Sequence, residues 1–246
     1  PIIGATPKLE IMKDITFNIQ HRDVIGIVGG SGSGKSTLGR AMLRLIEPSG
    51  GKVIFEGKDI TNLNEYELRP LRRRFQMIFQ DPMSSLNPRH RVAAIIGGPL
   101  KLHGFARVDF LIEEALDHVG LPKSFKFRYP HELSGGQRQR IGIARAIAVK
   151  PNFILADEIV SGLDVSSQAK ILSLLQKLVI DLGLTLAFIS HDLSVVRRLS
   201  NKIIVLKEGT LIESSLTDNL FETPQHPYTE ELLSAIPLPD PRQVWE

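Results

Sequence analysis

Gly29-Gly30-Ser31-Gly32-Ser33-Gly34-Lys35-Ser36-Thr37 follows the apolar run Val24-Ile25-Gly26-Ile27-Val28 and precedes a helical repeat at Leu38, Ala41, Met42, Leu45 and Ile46. The order is strand, loop, helix, and the spacing is G-x-x-x-x-G-K-[ST], the pattern of a phosphate-binding loop. Glycines let such a loop wrap an anion with its N–H groups pointing inward, and the following helix adds the positive end of its dipole. Lys35 is then placed to reach the β- and γ-phosphates, and the Ser36 hydroxyl to ligate Mg2+. A Gly/Ser linker with an incidental lysine would need neither flank. The stretch reads as a nucleoside triphosphate site.

At 246 residues the chain has room for one substantial core and a subdomain, so one NTPase domain with an insertion is expected. The net charge is only +3, and the densest basic run, Arg72-Arg73-Arg74, has no neighbouring aromatic platform for bases. A solvated face or a strand entry is the expectation there, and a nucleic-acid partner is not. With no cysteine, disulfides and thiolate metal sites are excluded, which fits a reducing cytoplasm. No run approaches the ~18 apolar residues that span a bilayer, and the N-terminus lacks a signal-peptide layout, so a chain soluble when isolated is expected. It begins at Pro1, which leaves processing, trimming or excision from a longer polypeptide equally open.

Strands and helices alternate along the chain. Residues 8–28 read as strands, Gly51 to Ile60 as a hairpin turning at Glu56-Gly57-Lys58-Asp59, and Phe75-Gln76-Met77-Ile78-Phe79 as a further strand. From Pro82 to Ala148 the pattern is helical, with Leu111, Ala115, Leu116 and Val119 on one face before Gly120. Strand signals return at Asn152–Asp157, Thr185–Ser190 and Lys202–Leu206, with a helix carrying Ile171, Leu174, Leu175, Leu178 and Leu182 between the first two. The expected class is α/β, a P-loop NTPase core of mainly parallel sheet with an N-terminal antiparallel β subdomain and an inserted helical subdomain. The expected division is a core of residues 1–80 and 151–215, a helical part of residues 81–150 and a C-terminal extension of residues 216–246.

Phe153-Ile154-Leu155-Ala156 makes a buried parallel strand, and Asp157-Glu158 falls at its carboxyl end, where ligands sit in open α/β sheets. Asp157 is suited to hold Mg2+ and Glu158 to polarise the attacking water as a general base. Thr185-Leu186-Ala187-Phe188-Ile189-Ser190 is a second such strand and leads into His191-Asp192. A histidine there is suited to sense the γ-phosphate, and a satisfied structural histidine is the alternative. The other six, His21, His90, His103, His118, His131 and His226, lack that setting.

Leu133-Ser134-Gly135-Gly136-Gln137 opens another helix, with Ile141, Ala144, Ile147 and Ala148 continuing it to Lys150-Pro151. Ser134 and Gln137 have capping-box spacing, which a helix cap alone explains. The two consecutive glycines are costly in a first turn yet allow close approach to an anion. The Lys35 loop is already complete, so the phosphate approached would belong to a second chain.

Taken together the sequence resembles the nucleotide-binding subunit of ABC transporters over nearly its whole length. The resemblance rests on the Walker A loop at Gly29–Thr37, a Q-loop at Gln80, the signature at Leu133–Gln137 and a Walker B strand ending in Asp157-Glu158. A D-loop at Ser161-Gly162-Leu163-Asp164 and a switch histidine at His191 complete it. It implies a head-to-tail dimer, homomeric or with a paralogous ATPase, with each ATP between one chain's Walker A loop and the other's signature. It also implies that Ser36, Gln80 and Asp157 hold Mg2+, that Glu158 activates water checked by His191, and that Ser134 and Gly136 of the second chain contact the γ-phosphate.

Gln80-Asp81-Pro82-Met83-Ser84-Ser85-Leu86-Asn87-Pro88-Arg89, Tyr129-Pro130-His131-Glu132-Leu133 and His226-Pro227-Tyr228-Thr229 with Leu232-Leu233 look like the dipeptide, oligopeptide and nickel importer branch. That branch implies docking at the cytoplasmic face of the membrane on two permease subunits, which are served by an extracytoplasmic substrate-binding protein. Ile236-Pro237-Leu238-Pro239-Asp240-Pro241 reads as an extended strap or as a disordered end. Three departures stand out: there are no C-terminal cysteines for an iron–sulfur cluster, Ile159-Val160 replaces Pro-Thr, and residues 1–16 lack an aromatic to stack on adenine. A soluble ABC ATPase acting on nucleic acid would need coiled coils or a tandem domain that this length does not hold. A GTPase would need Asn-Lys-x-Asp, where Asn201-Lys202-Ile203-Ile204 lacks the acid.

Overall fold

A computed structural model describes residues 11–236, the side chains of Pro82 and Met83 apart. Residues 8–10 of the expected strand region and the tail from Pro237 lie outside the described residues. In chain order the elements are β1 (Val24–Val28), α1 (Lys35–Met42), β2 (Ile54–Phe55), β3 (Lys58–Asp59), α2 (Glu65–Leu68) and β4 (Phe75–Ile78). Then come α3 (Pro82–Ser85), α4 (Val92–Leu102), α5 (Val108–His118), α6 (Gly135–Ala148) and β5 (Phe153–Asp157). The remainder is α7 (Val165–Leu182), β6 (Thr185–Ile189), α8 (Leu193–Leu199), β7 (Lys202–Lys207), β8 (Thr210–Leu216), α9 (Thr217–Glu222) and α10 (Pro227–Ser234).

Six strands form one sheet in the order β4-β5-β6-β1-β7-β8, parallel except for β8, which runs antiparallel to β7. Strands β1, β5 and β6 are buried at every position and mostly apolar because both faces are covered. Alternation divides their side chains between two layers. Val24, Val28, Ile154, Ala156, Leu186 and Phe188 face the core shared with α4 to α8, while Ile25, Ile27, Leu155, Ala187 and Ile189 face the core shared with α1.

Helix α8 approaches β1 so closely that a Cβ on Gly26 would stand 2.0 Å from Val196 Cγ1 and 2.8 Å from Ser200 Oγ. This explains a glycine in the middle of an otherwise branched strand. The helical segments α3 to α6 lie between β4 and β5 in the chain. Arg145 of α6 donates to the Ser85 carbonyl at 2.6 Å and so joins α6 to α3.

The structure corrects several expectations. Among the described residues, 11–23 form no strand. Ile15, Phe17 and Ile19 keep the period-two burial against the α1-side core, but left-handed turns at Asp14 (φ 48°) and Arg22 (φ 69°) interrupt the extended path. The antiparallel pair β2–β3 has two residues per strand, with the turn narrowed to Glu56-Gly57. Helix α1 ends at Met42 and leaves Leu45 and Ile46 exposed, because Arg44 turns left-handed (φ 51°) and Arg72 donates to the Leu43 and Arg44 carbonyls.

Arg74 pairs with Glu56, and Arg72 and Arg74 lie over the rings of Phe75 and Phe55, so the basic run is a strand entry with internal partners; contrary to expectation it has aromatic neighbours, but its own arginines cover them. Leu182, expected on the buried stripe of α7, is exposed at the helix end, and Leu172, inside the helix, is buried as well. Strand β8 was not expected.

Gly26→Ala should lower the unfolding free energy by about 1–3 kcal/mol through overpacking against Val196. A wild-type urea midpoint for this variant would contradict the close approach of α8 to β1.

Candidate active site

Parallel pairing brings the carboxyl ends of β4, β5, β6 and β1 to one edge. One register row runs Ile78, Ala156, Phe188, Gly26, and the next runs Asp157, Ile189, Ile27. Just beyond these rows stand Gln80, Glu158, His191 and the loop that begins at Gly29.

In that loop Gly29, Gly32 and Gly34 take positive φ (149°, 76° and 96°), a conformation that L side chains rarely adopt. Lys35 is 6 % exposed, and its Nζ donates to the carbonyls of Gly29 and Gly30, both at 2.8 Å, with Ser33 Oγ at 3.5 Å. Burial pulls the ammonium pKa down, while Glu158 and Asp157 push it back up. Ser31 is exposed, Ser33 is buried, and Thr37 is partly buried behind Ser36 in the first turn of α1.

Ser36 Oγ donates to Asp157 Oδ1 at 3.0 Å. Asp157 is 3 % exposed, and its pKa is raised mainly by burial, against the lowering effect of the Ser36 hydroxyl. A hydroxyl and a buried carboxylate side by side are hard oxygen donors suited to Mg2+, which keeps waters and binds through substrate phosphates. Among the described residues no group of three or more His, Cys, Asp or Glu could hold a metal by itself, so the protein's share of such a site is partial. The residues present fit an Mg2+ delivered with phosphate.

Glu158 leaves β5 with φ 46°, a left-handed conformation unusual for a residue with a side chain, and its N–H donates to the Ile189 carbonyl at 3.0 Å. This twist brings its carboxylate between two neighbours. Gln80 Nε2 donates to Oε2 at 2.9 Å, and His191 Nδ1 lies 3.7 Å from Oε1. Asp192 caps α8 by accepting from the N–H of Ser194 at 2.9 Å, which seats the turn carrying His191.

Downstream, Ser161 donates through its N–H (3.1 Å) and its hydroxyl (2.7 Å) to the Glu158 carbonyl, and Gly162 turns left-handed at φ 77°. Asp164 caps α7 by accepting from the Ser167 N–H (2.9 Å) and hydroxyl (2.7 Å), which hold its carboxyl below the usual range. Leu163 is partly buried beside α6. Ile159 and Val160 are buried, so the substituted dipeptide joins the core.

At the start of α6, Ser134 Oγ accepts from the Gln137 N–H at 3.3 Å, and Gln137 Oε1 accepts from the Ser134 N–H at 3.0 Å, a capping box. Leu133 is buried beneath it while Ser134 is exposed. Cβ atoms on Gly135 and Gly136 would lie 3.9 Å from Leu163 Cδ2 and 3.8 Å from Ser167 Oγ, so the turns that open α6 and α7 are neighbours within one chain. The structure thus groups Lys35, Ser36, Gln80, Asp157, Glu158 and His191 at the strand ends. It places Leu133–Gln137 with Ser161–Asp164 at the starts of α6 and α7.

Two participants were missed by sequence reasoning. Tyr228 Oη accepts from the Gly30 N–H at 2.9 Å, and the left-handed geometry of Glu158 aims its carboxylate. The only local hint for the first was the His226-Pro227-Tyr228-Thr229 stretch; nothing in sequence marks the second.

Comparison with known proteins shows what this chain is similar to. Residues 12–161 match the family described as ABC transporter, and residues 212–246 match the family described as oligopeptide/dipeptide transporter, C-terminal region. The oligopeptide transport ATP-binding protein OppF of Streptococcus mutans is 48 % identical over 242 residues, covering 97 % of this chain and 79 % of that protein. OppF of Bacillus subtilis is 49 % identical over 244 residues, covering 96 % and 80 %. The ATP-binding cassette MJ0796, solved as a dimer in a post-hydrolysis state bound to ADP and Pi, superposes with a TM-score of 0.76 at 32 % identity, covering 84 % of this chain and 90 % of that one.

Removing the ammonium with Lys35→Ala should weaken Mg-ATP binding by about tenfold or more, the scale of a lost charge-assisted contact. Unchanged affinity in an equilibrium titration would show that the loop is not where the phosphates bind.

Proposed function

This chain belongs to the ABC transporter family, and from that premise we propose that it is the ATPase subunit of a peptide importer, hydrolysing ATP at sites shared between two ATPase subunits. The observation that carries the reading is the Gln80–Glu158–His191 cluster beside the buried Ser36–Asp157 pair and the Lys35 loop. A carboxylate held by a neutral amide on one oxygen and faced by an imidazole on the other is equipped to orient and deprotonate a water.

In this reading Lys35 leaves its two carbonyl partners in part to meet the β- and γ-phosphates. Ser36, Gln80 and Asp157 would hold Mg2+; the Gln80 amide nitrogen is engaged by Glu158, so its oxygen is the ligand atom. When bound, Mg2+ neutralises charge on the phosphates. Glu158 takes the proton of the attacking water, and His191 orients that carboxylate and reads the γ-phosphate. Ser134 and Gly136 of a second chain close over the same phosphate with the N-terminal end of α6.

Coupling would run through Gln80. It lies two residues before α3, and α3 is tied to α6 by Arg145, so a shift at the nucleotide moves the helical segment of residues 81–150. No helix among the described residues is long and apolar enough to cross a membrane. By its likeness to oligopeptide transport ATP-binding proteins, the ATPase would dock on two permease subunits at the cytoplasmic face of the membrane, with an extracytoplasmic binding protein delivering the peptide. The C-terminal match at residues 212–246 and the relatives named for oligopeptide transport support that substrate class.

Glu158→Gln keeps the size of the side chain and deletes the base. Steady-state hydrolysis should fall by ~10² or more while Mg-ATP stays bound. Near-normal turnover would assign the proton transfer to another group.

A further inference from the structure

The C-terminal segment is built onto the phosphate loop. Glu213 of β8 is 7 % exposed and accepts three hydrogen bonds, from the N–H groups of Gln225 (3.0 Å) and His226 (3.2 Å) and from the Thr229 hydroxyl (2.6 Å). A buried carboxylate with three donors is a firm anchor. It fixes the start of α10, where His226 Nδ1 accepts from the Tyr228 N–H at 3.1 Å. From there the Tyr228 ring lies under Lys207, whose Nζ is 4.6 Å from its centroid, and its hydroxyl accepts from the Gly30 N–H at 2.9 Å.

That single contact has leverage because of peptide planarity. The Gly30 N–H and the Gly29 carbonyl belong to one rigid amide plane. Tyr228 holds the plane by its N–H, and the Gly29 carbonyl at its other edge accepts from Lys35 Nζ at 2.8 Å. Rotation of the plane would move the acceptor on which the lysine rests.

The same contact limits what residue 30 can be. It is not among the left-handed glycines of the loop, so its backbone would accept a side chain. Among the described residues, the one atom a Cβ would meet within 4 Å is Tyr228 Oη, at 2.9 Å. The glycine makes room for the tyrosine.

We propose that Tyr228 is a positioning residue for ATP binding, through which the C-terminal segment sets the Gly29–Gly30 peptide and hence the resting place of Lys35. The proposal rests on reading the Lys35 loop as the ATP site.

The experiment is a double-mutant cycle on the full chain, with Mg-ATP titrations and steady-state kinetics for wild type, Tyr228→Phe, Gly30→Ala and the double variant. Tyr228→Phe deletes only the acceptor oxygen, and Gly30→Ala displaces it. Each should raise the Kd for Mg-ATP by about 3–10-fold, the value of one hydrogen bond. The double variant should be no worse than the weaker single, since both remove the same contact. KM for ATP should rise with Kd, while turnover at saturating ATP falls by less.

If Tyr228→Phe merely lowers the melting temperature and leaves Kd and KM at wild-type values, the proposal is overturned. Additive effects of the two singles would overturn it as well. Absence of Mg-ATP binding in the wild type would instead remove the site reading itself, so the two failures are distinguishable.

Discussion

The register of β4, β5, β6 and β1 governs everything at this site. Parallel strands in adjacent positions must end on the same side, and here the row Ile78, Ala156, Phe188, Gly26 crosses all four. Residues far apart in sequence are therefore delivered to one edge by backbone hydrogen bonds and by apolar packing on both faces. A slip of one residue in β5 would send Asp157 to the opposite face and bury Glu158 in its place. Gly26 belongs to the same constraint, because α8 can cover β1 only where no side chain intervenes.

On that frame the charges are arranged in pairs of unequal burial. Asp157 is buried and carries a single hydroxyl partner from Ser36, whereas Glu158 is more accessible and lies between an amide and an imidazole. Burial pushes the Asp157 pKa up and pulls the Lys35 pKa down, so both charges gain when a metal and phosphates arrive to compensate them. A loop whose turns glycine takes without strain, and that is capped by its own lysine, is ready to exchange internal partners for a ligand.

Much of this was legible in sequence for identifiable reasons. The phosphate loop is local, its glycines are dictated by φ, and its strand and helix adjoin it. The strands β5, β6 and β7 are short apolar runs with no competing period. What was not legible depends on distant partners. Arg72, some thirty residues away, holds the carbonyls of Leu43 and Arg44 just past the end of α1, and the alternating stretch around Phe17 buries its side chains without finding a ladder. Strand β8 alternates too weakly to be seen because it lies at the sheet edge, and Tyr228 meets Gly30 only after the chain has crossed the whole sheet.

One chain presents a phosphate loop with its acid cluster at the strand ends, and an exposed capped turn with paired glycines at the start of α6. The central claim is that these two halves belong to different sites in a dimer. The most direct measurement mixes a Lys35→Ala chain, defective in its own loop, with a Ser134→Arg chain, defective in its signature turn, and follows ATP hydrolysis. The shared-site account predicts activity above either variant alone, because a mixed dimer regains one interface built from the intact loop of one chain and the intact turn of the other. No gain on mixing, together with wild-type specific activity that is independent of dilution, would contradict it and indicate a self-contained ATPase.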